Sequence, residues 1–328
     1  MGVLVGLVVA GMTAWVAGAI YYGDIGGSRA RLALAAGFVA ATALAFLLSP
    51  CRRRTLAGFL VAFAIVVVWW LRIPASNDRD WQAEVSVTPW AEISGERVTI
   101  HGVRNFDYRT ETDFLARWED RTYDLRTLDS VDFIAVYWTG PAIAHIILSF
   151  GFGGTDYLAI SMETRKERGE QYSVLAGFFK QYELVYVVAD ERDVIRVRTT
   201  YRRPQEDVYV YRVRTPRANI RRVFVDYLKG MNDLRSRPSF YNTLTTNCST
   251  GVLMHTRVNP ESPPVSWKVL LSGYIPEYLY KLGHLDTRRP FAELRLMSNV
   301  NGRAHAADQD PAFSRRIREG VPVPALPW

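Results

Sequence analysis

The residue best suited to covalent chemistry is Cys248, which follows residues 245–247 ("TTN") at the start of a helical stretch, "STGVLMHTR". A Thr or Asn side chain at this point can cap the helix. A thiol at a helix N-terminus lies at the positive end of the helix dipole, which favours the thiolate and lowers the thiol pKa. The free amides of the same turn could bind the oxyanion formed when a thiolate attacks a carbonyl. We predict a nucleophile; the alternative is a buried cysteine acting as a small apolar side chain.

A nucleophilic thiol usually needs a base, and the chain offers five histidines. His145 is the best placed, because it lies in the otherwise apolar strand-like segment "AIAHIILSF", where a buried imidazole needs a polar partner. His255 is on the same predicted helix as Cys248 but about 10 Å along it, too far for direct contact. The other three histidines lie in an early strand or in later, less ordered segments. We predict His145 as the base; the alternative is a hydrogen-bonded core histidine.

Several further side chains are candidates for supporting roles. After a glycine-rich turn, the next predicted strand runs back beside His145 and carries Glu163 and Arg165. Glu163 could orient the imidazole; the alternative is a surface ion pair between Glu163 and Arg165. Tyr137, on the preceding strand, is a weaker candidate, and Asn247 could support the thiol that follows it.

Three uncharged runs near the N-terminus, over residues 1–22, 32–48 and 55–71, are each about long enough to cross a bilayer as a helix. The arginine-rich loop "CRRR" between the second and third runs is typical of the cytoplasmic side, so the chain after about Arg72 lies outside the cytoplasm. The sequence predicts a multi-pass bacterial inner-membrane protein with a periplasmic C-terminal domain. The alternative for the first run is a cleaved signal peptide, but the run lacks the usual basic n-region.

The net charge of +7 is concentrated in the membrane segment. Six arginines and one acidic residue give residues 1–73 a charge of +5, and the rest of the chain carries only +2. The high isoelectric point therefore reflects membrane topology rather than a nucleic-acid surface, and we exclude nucleic-acid binding.

The two cysteines cannot form a disulfide under this topology. Cys51 lies at the cytoplasmic face and Cys248 beyond the membrane, so Cys248 is a lone thiol in an oxidising compartment. The histidines and cysteines lack metal-ligand spacing, and no glycine-rich phosphate loop opens a helix. We expect neither a metal nor another cofactor.

The exported part begins with a polar linker, residues 74–80, followed by a predicted domain over 81–298. Its first part has β-branched and aromatic runs broken by turn residues, and its second part has helical spacing of apolar residues. The predicted strands are 97–103, 121–125, 131–138, 144–150, 157–162, 194–200 and 208–213; 177–188 is a short helix running into a strand; the predicted helices are 217–236, 249–257 and 272–282. Residues 299–328 are polar and are expected to form a loosely held tail. The fold class is α+β, a mostly antiparallel sheet followed by helices.

Residues 145–213, beginning "HIILSFGFGGTDYLAISMETR", together with the later "FYNTLTTNCST", resemble the family of Lnb N-terminal periplasmic domains. The resemblance covers about 81–282. It implies a fold similar to permuted papain-like (NlpC/P60-like) hydrolases, in which histidine precedes cysteine in the chain, as His145 precedes Cys248. Characterised relatives are lipoprotein N-acyltransferases thought to use a cysteine–histidine pair, but their membrane arrangement differs from the three spans here.

The leading hypothesis is therefore a membrane-bound thiol acyltransferase that forms an acyl-thioester on Cys248 from a phospholipid or lipoprotein ester. A second hypothesis is a cysteine amidase or peptidase of cell-wall peptides, with water in place of the acceptor amine. A third is a non-catalytic envelope protein in which Cys248 is inert. The sequence does not distinguish the acyl donor, the acceptor or the oligomeric state.

Overall fold

The computed structural model describes residues 2–325. It begins with three long apolar helices: α1 (Val3–Tyr21), α2 (Ser28–Leu48) and α3 (Arg52–Leu71). Their mean hydropathies of 2.2, 2.0 and 2.0, together with their lengths, are sufficient for crossing a membrane. Few of their side chains are buried inside the protein, as expected for helices that face lipid.

The domain that follows is built on one twisted sheet. Its strands are β1 (Trp90–Ser94), β2 (Arg97–Arg104), β5 (Trp118–Asp124), β6 (Leu128–Tyr137), β7 (His145–Phe152), β8 (Asp156–Arg165), β9 (Glu183–Ala189) and β10 (Asp207–Arg212); a separate hairpin pairs β3 (Asp107–Tyr108) with β4 (Phe114–Leu115). The order is β1-β2-β9-β8-β7-β6-β10, with β5 paired to β2. All pairings are antiparallel except the single contact of Arg104 with Ala189. The predicted α+β class with a mostly antiparallel sheet is confirmed.

Helices cover both faces of this sheet. They are α4 (Glu191–Val194), α5 (Arg217–Ser236), α6 (Cys248–Thr256), α7 (Trp267–Leu270), α8 (Ile275–Lys281), α9 (Phe291–Ser298), α10 (Asn301–Ala306) and α11 (Phe313–Arg316). Because side chains alternate along a strand, Ile146 and Leu148 of β7 pack in the core with α5 and α8, whereas Ile147 packs in a second core with α10 and α11. The site described below lies at the start of β7.

Most predicted elements are found close to their expected positions. Six of the seven predicted strands are present, and the helix predicted over 217–236 is α5. The segment 177–188 is, as predicted, a short helical turn, Ala176–Phe178, followed by β9.

The strand predicted over 194–200 is wrong. This segment forms the end of α4 and a π-helical turn, Val197–Tyr201. The Asp190 side chain caps α4 by accepting the Arg192 amide at 2.8 Å, and the Thr199 hydroxyl donates to the Ile195 carbonyl at 3.1 Å. These local bonds stabilise helical turns although the β-branched composition favours a strand.

The prediction of a loosely held C-terminal tail is also wrong for its described part, residues 299–325. Val300, Phe313 and Ile317 are fully buried against the second face of the sheet. The Arg318 side chain reaches into the same layer and pairs with Glu191. The polar composition of the segment conceals this packing, because its apolar residues are spread over two short helices.

The segment after α3, predicted as a linker, is tied to the domain. The Ser76 amide donates to Glu183 at 3.1 Å, and Asn77 donates to the carbonyl of Arg235 at 2.9 Å near the end of α5. Arg79 pairs with Glu183 at 3.0 Å. These bonds fix the outer end of the membrane helices to one end of the sheet.

Candidate active site

Cys248 is the first residue of α6, and its position is fixed by Asn247. The Asn247 side-chain oxygen accepts the amides of Ser249 and Thr250, both at 2.9 Å, while the Thr250 hydroxyl accepts the Asn247 amide at 2.9 Å. This is a complete capping box. The side-chain NH2 group of Asn247 (Nδ2) also donates to the Thr243 carbonyl at 2.7 Å, which anchors the preceding turn. The cap therefore holds the sulfur at a defined helix N-terminus.

The capping box reduces the number of backbone amides that are free to form the predicted oxyanion site. The amides of Ser249 and Thr250 are taken by Asn247 and do not point freely into the site. The Cys248 amide belongs to the first turn, where the helix itself supplies no acceptor. It is therefore the amide of this helix terminus that the capping box leaves available to an oxyanion.

His145 is the first residue of β7 and lies opposite Val136 of β6. Its imidazole lies beside the Cys248 thiol in the same cleft, close enough for each group to shift the pKa of the other. On its other side, Nε2 of His145 lies 3.2 Å from Oε1 of Glu163.

Glu163 is held in place from three directions. Its Oε1 accepts the Ser161 hydroxyl at 2.8 Å and lies 3.4 Å from the guanidinium of Arg198, in addition to its contact with His145. Burial alone would raise the pKa of Glu163, but the charges of His145 and Arg198 outweigh it and hold that pKa well below its usual value. The carboxylate is thus ionised beside the imidazole.

The electrostatics favour an ion pair between thiol and imidazole. Burial alone would lower the pKa of His145, but the charge of Glu163 and the hydrogen bond with Cys248 raise it to about 9. Burial alone would raise the pKa of Cys248, but the hydrogen bond and charge of His145 lower it below the usual value. The two shifts are in opposite directions, and both favour the state in which the histidine carries the proton. A thiolate–imidazolium pair is the arrangement of an activated cysteine nucleophile.

Arg165 is not part of this group. It is fully buried and donates to the carbonyls of Val85 and Ser86 and to the side chain of Asn77, each at 2.9 Å. Glu163 pairs with His145 and Arg198, so the alternative of a Glu163–Arg165 surface ion pair is not found.

Tyr137 also lies away from the thiol. Its hydroxyl donates to the Gly273 carbonyl at 2.7 Å. It therefore supports the loop after α7 and has no contact with the reacting group.

His255 lies deep in the core. It contacts Asp226 and the Tyr186 hydroxyl, each at 2.8 Å. These bonds join α6 to α5 and β9, and the histidine does not reach the thiol of its own helix.

The thiol opens into a cleft of about 480 Å³ that also contains His145 and Glu163. A larger depression of about 640 Å³ lies near β8 and α11, but neither a cysteine nor a histidine lines it. The 480 Å³ cleft is therefore the relevant one for thiol chemistry. Among residues 2–325, no group of three His, Cys, Asp or Glu side chains is arranged to bind a metal.

Sequence reasoning missed several residues of the cleft. Arg104, Arg198 and Arg202 line the cleft, paired with Asp193, Glu163 and Glu206 respectively, and Arg198 is buried with its Nε unpaired. Arg198 was hidden by the wrong strand prediction over 194–200. Tyr172 and Tyr241 lie close to the thiol, and their positions in loops carry no periodic signal.

Together these features define an α+β domain with a membrane anchor and a cysteine–histidine–glutamate site at a helix N-terminus. Residues 114–273 match the family described as Lnb N-terminal periplasmic domain. The match confirms the resemblance seen in the sequence and includes Cys248, His145 and Glu163. No curated protein and no solved structure matches the chain. The family and the three apolar helices fit a membrane protein of the cell envelope with a periplasmic domain.

Proposed function

We propose that the protein is a multi-pass inner-membrane thiol acyltransferase that carries an acyl group on Cys248. The observation that supports this most directly is the contact of the thiol with His145, which is itself paired with Glu163. The positions of these groups match those of a nucleophile, its base and the residue that orients the base. The family match supports the proposal because it covers all three residues.

In the first half-reaction, the Cys248 thiolate attacks the carbonyl carbon of an ester. A C–S bond forms, and the negative charge moves to the carbonyl oxygen, where the Cys248 amide can stabilise it. Collapse of this intermediate breaks the ester C–O bond. The imidazolium of His145 gives its proton to the leaving alkoxide, and an acyl-thioester and an alcohol result.

In the second half-reaction, an amine attacks the thioester carbon. A C–N bond forms, the C–S bond breaks, and neutral His145 accepts the proton that the amine loses. The thiolate–imidazolium pair is restored. The sum is transfer of an acyl group from an ester to an amine, with release of an alcohol.

The cleft suits a phospholipid or lipoprotein ester. Val174, Leu270 and Ile143 supply apolar contacts, while Arg198 keeps an unpaired donor, Nε, for an anionic headgroup. An acyl donor with an apolar chain and a phosphate group would use both sides. We therefore propose a membrane lipid or lipoprotein as the substrate.

Intact-mass analysis of the full chain in nanodiscs tests the proposal, after incubation with phospholipid and a diacylated lipopeptide. We expect a hydroxylamine-sensitive acyl adduct on Cys248 that is absent from Cys248→Ala. Cys51→Ala is the matched control, because Cys51 is the other free thiol and is exposed. It should retain the adduct.

Two results would contradict acyl transfer. Release of peptide fragments from peptidoglycan, with no adduct from lipid, would indicate an amidase or peptidase using the same residues. Absence of both activities, with Cys248 alkylated by iodoacetamide no faster than Cys51, would indicate a non-catalytic protein.

A further inference from the structure

The loop before β9 lies against the membrane helices. The Phe179 ring is stacked on Tyr22 at a centroid distance of 5.7 Å and packs on Gly18, where an added Cβ would lie 2.5 Å from the ring. It also lies 6.4 Å from the ring of Trp15. Since α1 ends at Tyr21, the ring is level with the last two turns of the helix, about 5–9 Å below its end. Phe179 therefore reaches the depth of the membrane interface.

Lys180 fixes the same loop to α3. Its ammonium donates to the carbonyls of Trp70 at 3.0 Å and of Leu71 and Ile73 at 3.3 Å. These carbonyls belong to the helix end, where the helix itself supplies no donors and a cation is favourable. The loop is thus held to two of the three membrane helices.

Large apolar side chains are exposed around the mouth of the cleft. The apolar rim, as we call this set, consists of Tyr172, Val174, Leu175, Leu244, Val265, Trp267, Leu270 and Leu271. Leu175 is 60% exposed and Trp267 59%. A set of exposed apolar side chains of this size, on the segments that border one cleft, indicates an interaction surface.

Hydrogen bonds join the parts of the apolar rim to one another and to the thiol. Thr243 donates through its amide to Gly177 at 3.1 Å and through its hydroxyl to Val174 at 2.9 Å. The Ser249 hydroxyl, next to the thiol, donates to the Val269 carbonyl of α7 at 2.7 Å. Tyr172, Val174 and Leu270 also line the cleft itself. The membrane-contacting loop is therefore joined to the segments that form the entrance to Cys248.

We propose that the apolar rim lies in the outer-leaflet interface of the bilayer that α1–α3 cross, so that an acyl chain enters the Cys248 cleft directly from the membrane. The bilayer is the occupant because the rim residues of the same loop lie close in sequence to Phe179 and Lys180, which are packed on the membrane helices. Exposed Trp, Tyr and Leu side chains are typical of such an interface. That an acyl chain enters rests on the proposed function; the membrane docking does not.

Fluorescence of a single label tests the docking without any activity. The variant Leu175→Cys is made in a Cys51→Ser, Cys248→Ser background and is labelled with an environment-sensitive fluorophore. It is placed in nanodiscs of phosphatidylethanolamine and phosphatidylglycerol. The emission is compared with and without added lipids that carry a nitroxide quencher on the acyl chain. We expect a blue-shifted emission and loss of intensity with the nitroxide lipid.

Ile93→Cys is the matched control, with an exposed residue (42%) in β1. The turn of its hairpin contacts Arg221, near the start of α5. Asn77, which follows the membrane helices, contacts Leu234 near the other end of α5, about 20 Å away. The hairpin turn therefore lies at the end of α5 that is distant from the membrane helices. The label there should show neither effect. Equal quenching at the two positions would overturn the proposal, and so would a label at Leu175 that is shielded from water but not quenched, which would indicate a protein partner.

A second measurement links docking to the proposed function. Leu175→Asp and Trp267→Asp should reduce Cys248 acylation by a long-chain ester in vesicles about ten-fold, because a carboxylate is unfavourable in the interface. The loss with a short, water-soluble ester should be much smaller, and Ile93→Asp should affect neither. Equal losses with both esters would overturn the entry route. If no ester acylates the wild type, the proposed function fails, while the quenching result still decides the docking.

Discussion

Two buried charge clusters share the second face of the sheet and illustrate different uses of ionic groups. The first is the candidate site, in which Glu163 faces His145 and Arg198. The second, which we call the clamp, joins Arg318 to Asp132 at 2.7 Å and to Glu191 at 2.6 Å. Both draw on the segment after β9, and both lie mostly out of solvent.

The difference lies in which groups can exchange a proton. In the clamp each carboxylate faces arginine, and Arg212 supplies a second guanidinium to Asp132. Burial alone would raise the pKa of Asp132, but Arg318 and Arg212 outweigh it and lower that pKa, so the charges stay fixed. In the candidate site the carboxylate faces an imidazole that lies beside a thiol, and both of these groups can gain or lose a proton. A saturated arginine cluster stabilises the fold, whereas a cluster with a titratable partner beside a cleft can perform chemistry.

Removing the base should have the largest effect. His145→Ala should slow acylation of Cys248 by about 10²–10⁴-fold, since the imidazolium that lowers the thiol pKa and protonates the leaving group is lost. The rate of adduct formation per folded molecule, followed by mass spectrometry, measures this. His255→Ala is the control, because it removes a core histidine of α6 and should reduce stability more than the rate. An unchanged rate in His145→Ala would eliminate the proposed distinction between the two clusters.

Breaking the clamp should have the opposite outcome. Arg318→Met leaves Glu191 buried without its guanidinium and should lower the free energy of unfolding by about 3–5 kcal/mol. Arg316→Met, at a half-exposed position in the same segment, should cost only about 0–1 kcal/mol. Urea unfolding followed by tryptophan fluorescence compares the two. Acylation per folded molecule should be the same in both variants, and a specific loss in Arg318→Met would mean that the clamp also serves the site.

The pH dependence of Cys248 acylation should distinguish the candidate site, whose groups titrate, from the clamp, whose charges stay fixed. The thiolate–imidazolium pair exists between the lowered pKa of Cys248 and the pKa of His145, about 9, so acylation should fall as pH rises through about 9. Because the folded-state pKa of His145 lies above its unfolded value of about 6.5, its contribution to stability is complete below that pH and is lost as pH rises through about 9.

Glu163→Gln removes the charge that raises the pKa of His145. The alkaline limb of the acylation profile should then move down by about one to two pH units. Glu293→Gln, at the surface of α9, should leave the limb in place. If Glu163→Gln also leaves it in place, Glu163 is a packing residue rather than the partner of the imidazole.

The amino-acid sequence was sufficient to predict those candidate site residues that can be recognised from their immediate neighbours in the chain. The polarity of His145 within an apolar strand, the return of Glu163 on the next strand and a cap before Cys248 are all readable within short windows. The geometry brings these three together, while their chemical roles stay predictions. The membrane helices were equally visible, because an uncharged run of that length is a strong signal.

The residues that the sequence did not predict depend on distant or competing interactions. Arg318 pairs with Asp132 and Glu191, which lie 186 and 127 residues before it in the sequence, and no local pattern predicts pairings over that separation. Arg198 was missed because β-branched neighbours favour a strand, whereas the Asp190 cap starts a helix. Its approach to Glu163 follows from tertiary packing alone.

The smallest expected effect concerns the cap, and it separates helix geometry from charge at the thiol. Asn247→Ala should cost about 1 kcal/mol, because the amides of Ser249 and Thr250 lose their acceptor. Asn247→Asp keeps the acceptor and should retain more stability, but its negative charge beside Cys248 should raise the thiol pKa and slow alkylation by iodoacetamide several-fold at neutral pH. If Asp and Ala slow alkylation equally, the cap acts by positioning the sulfur. If only Asp slows it, the reactivity of the thiol depends on local charge, which is the property that distinguishes the site from the clamp.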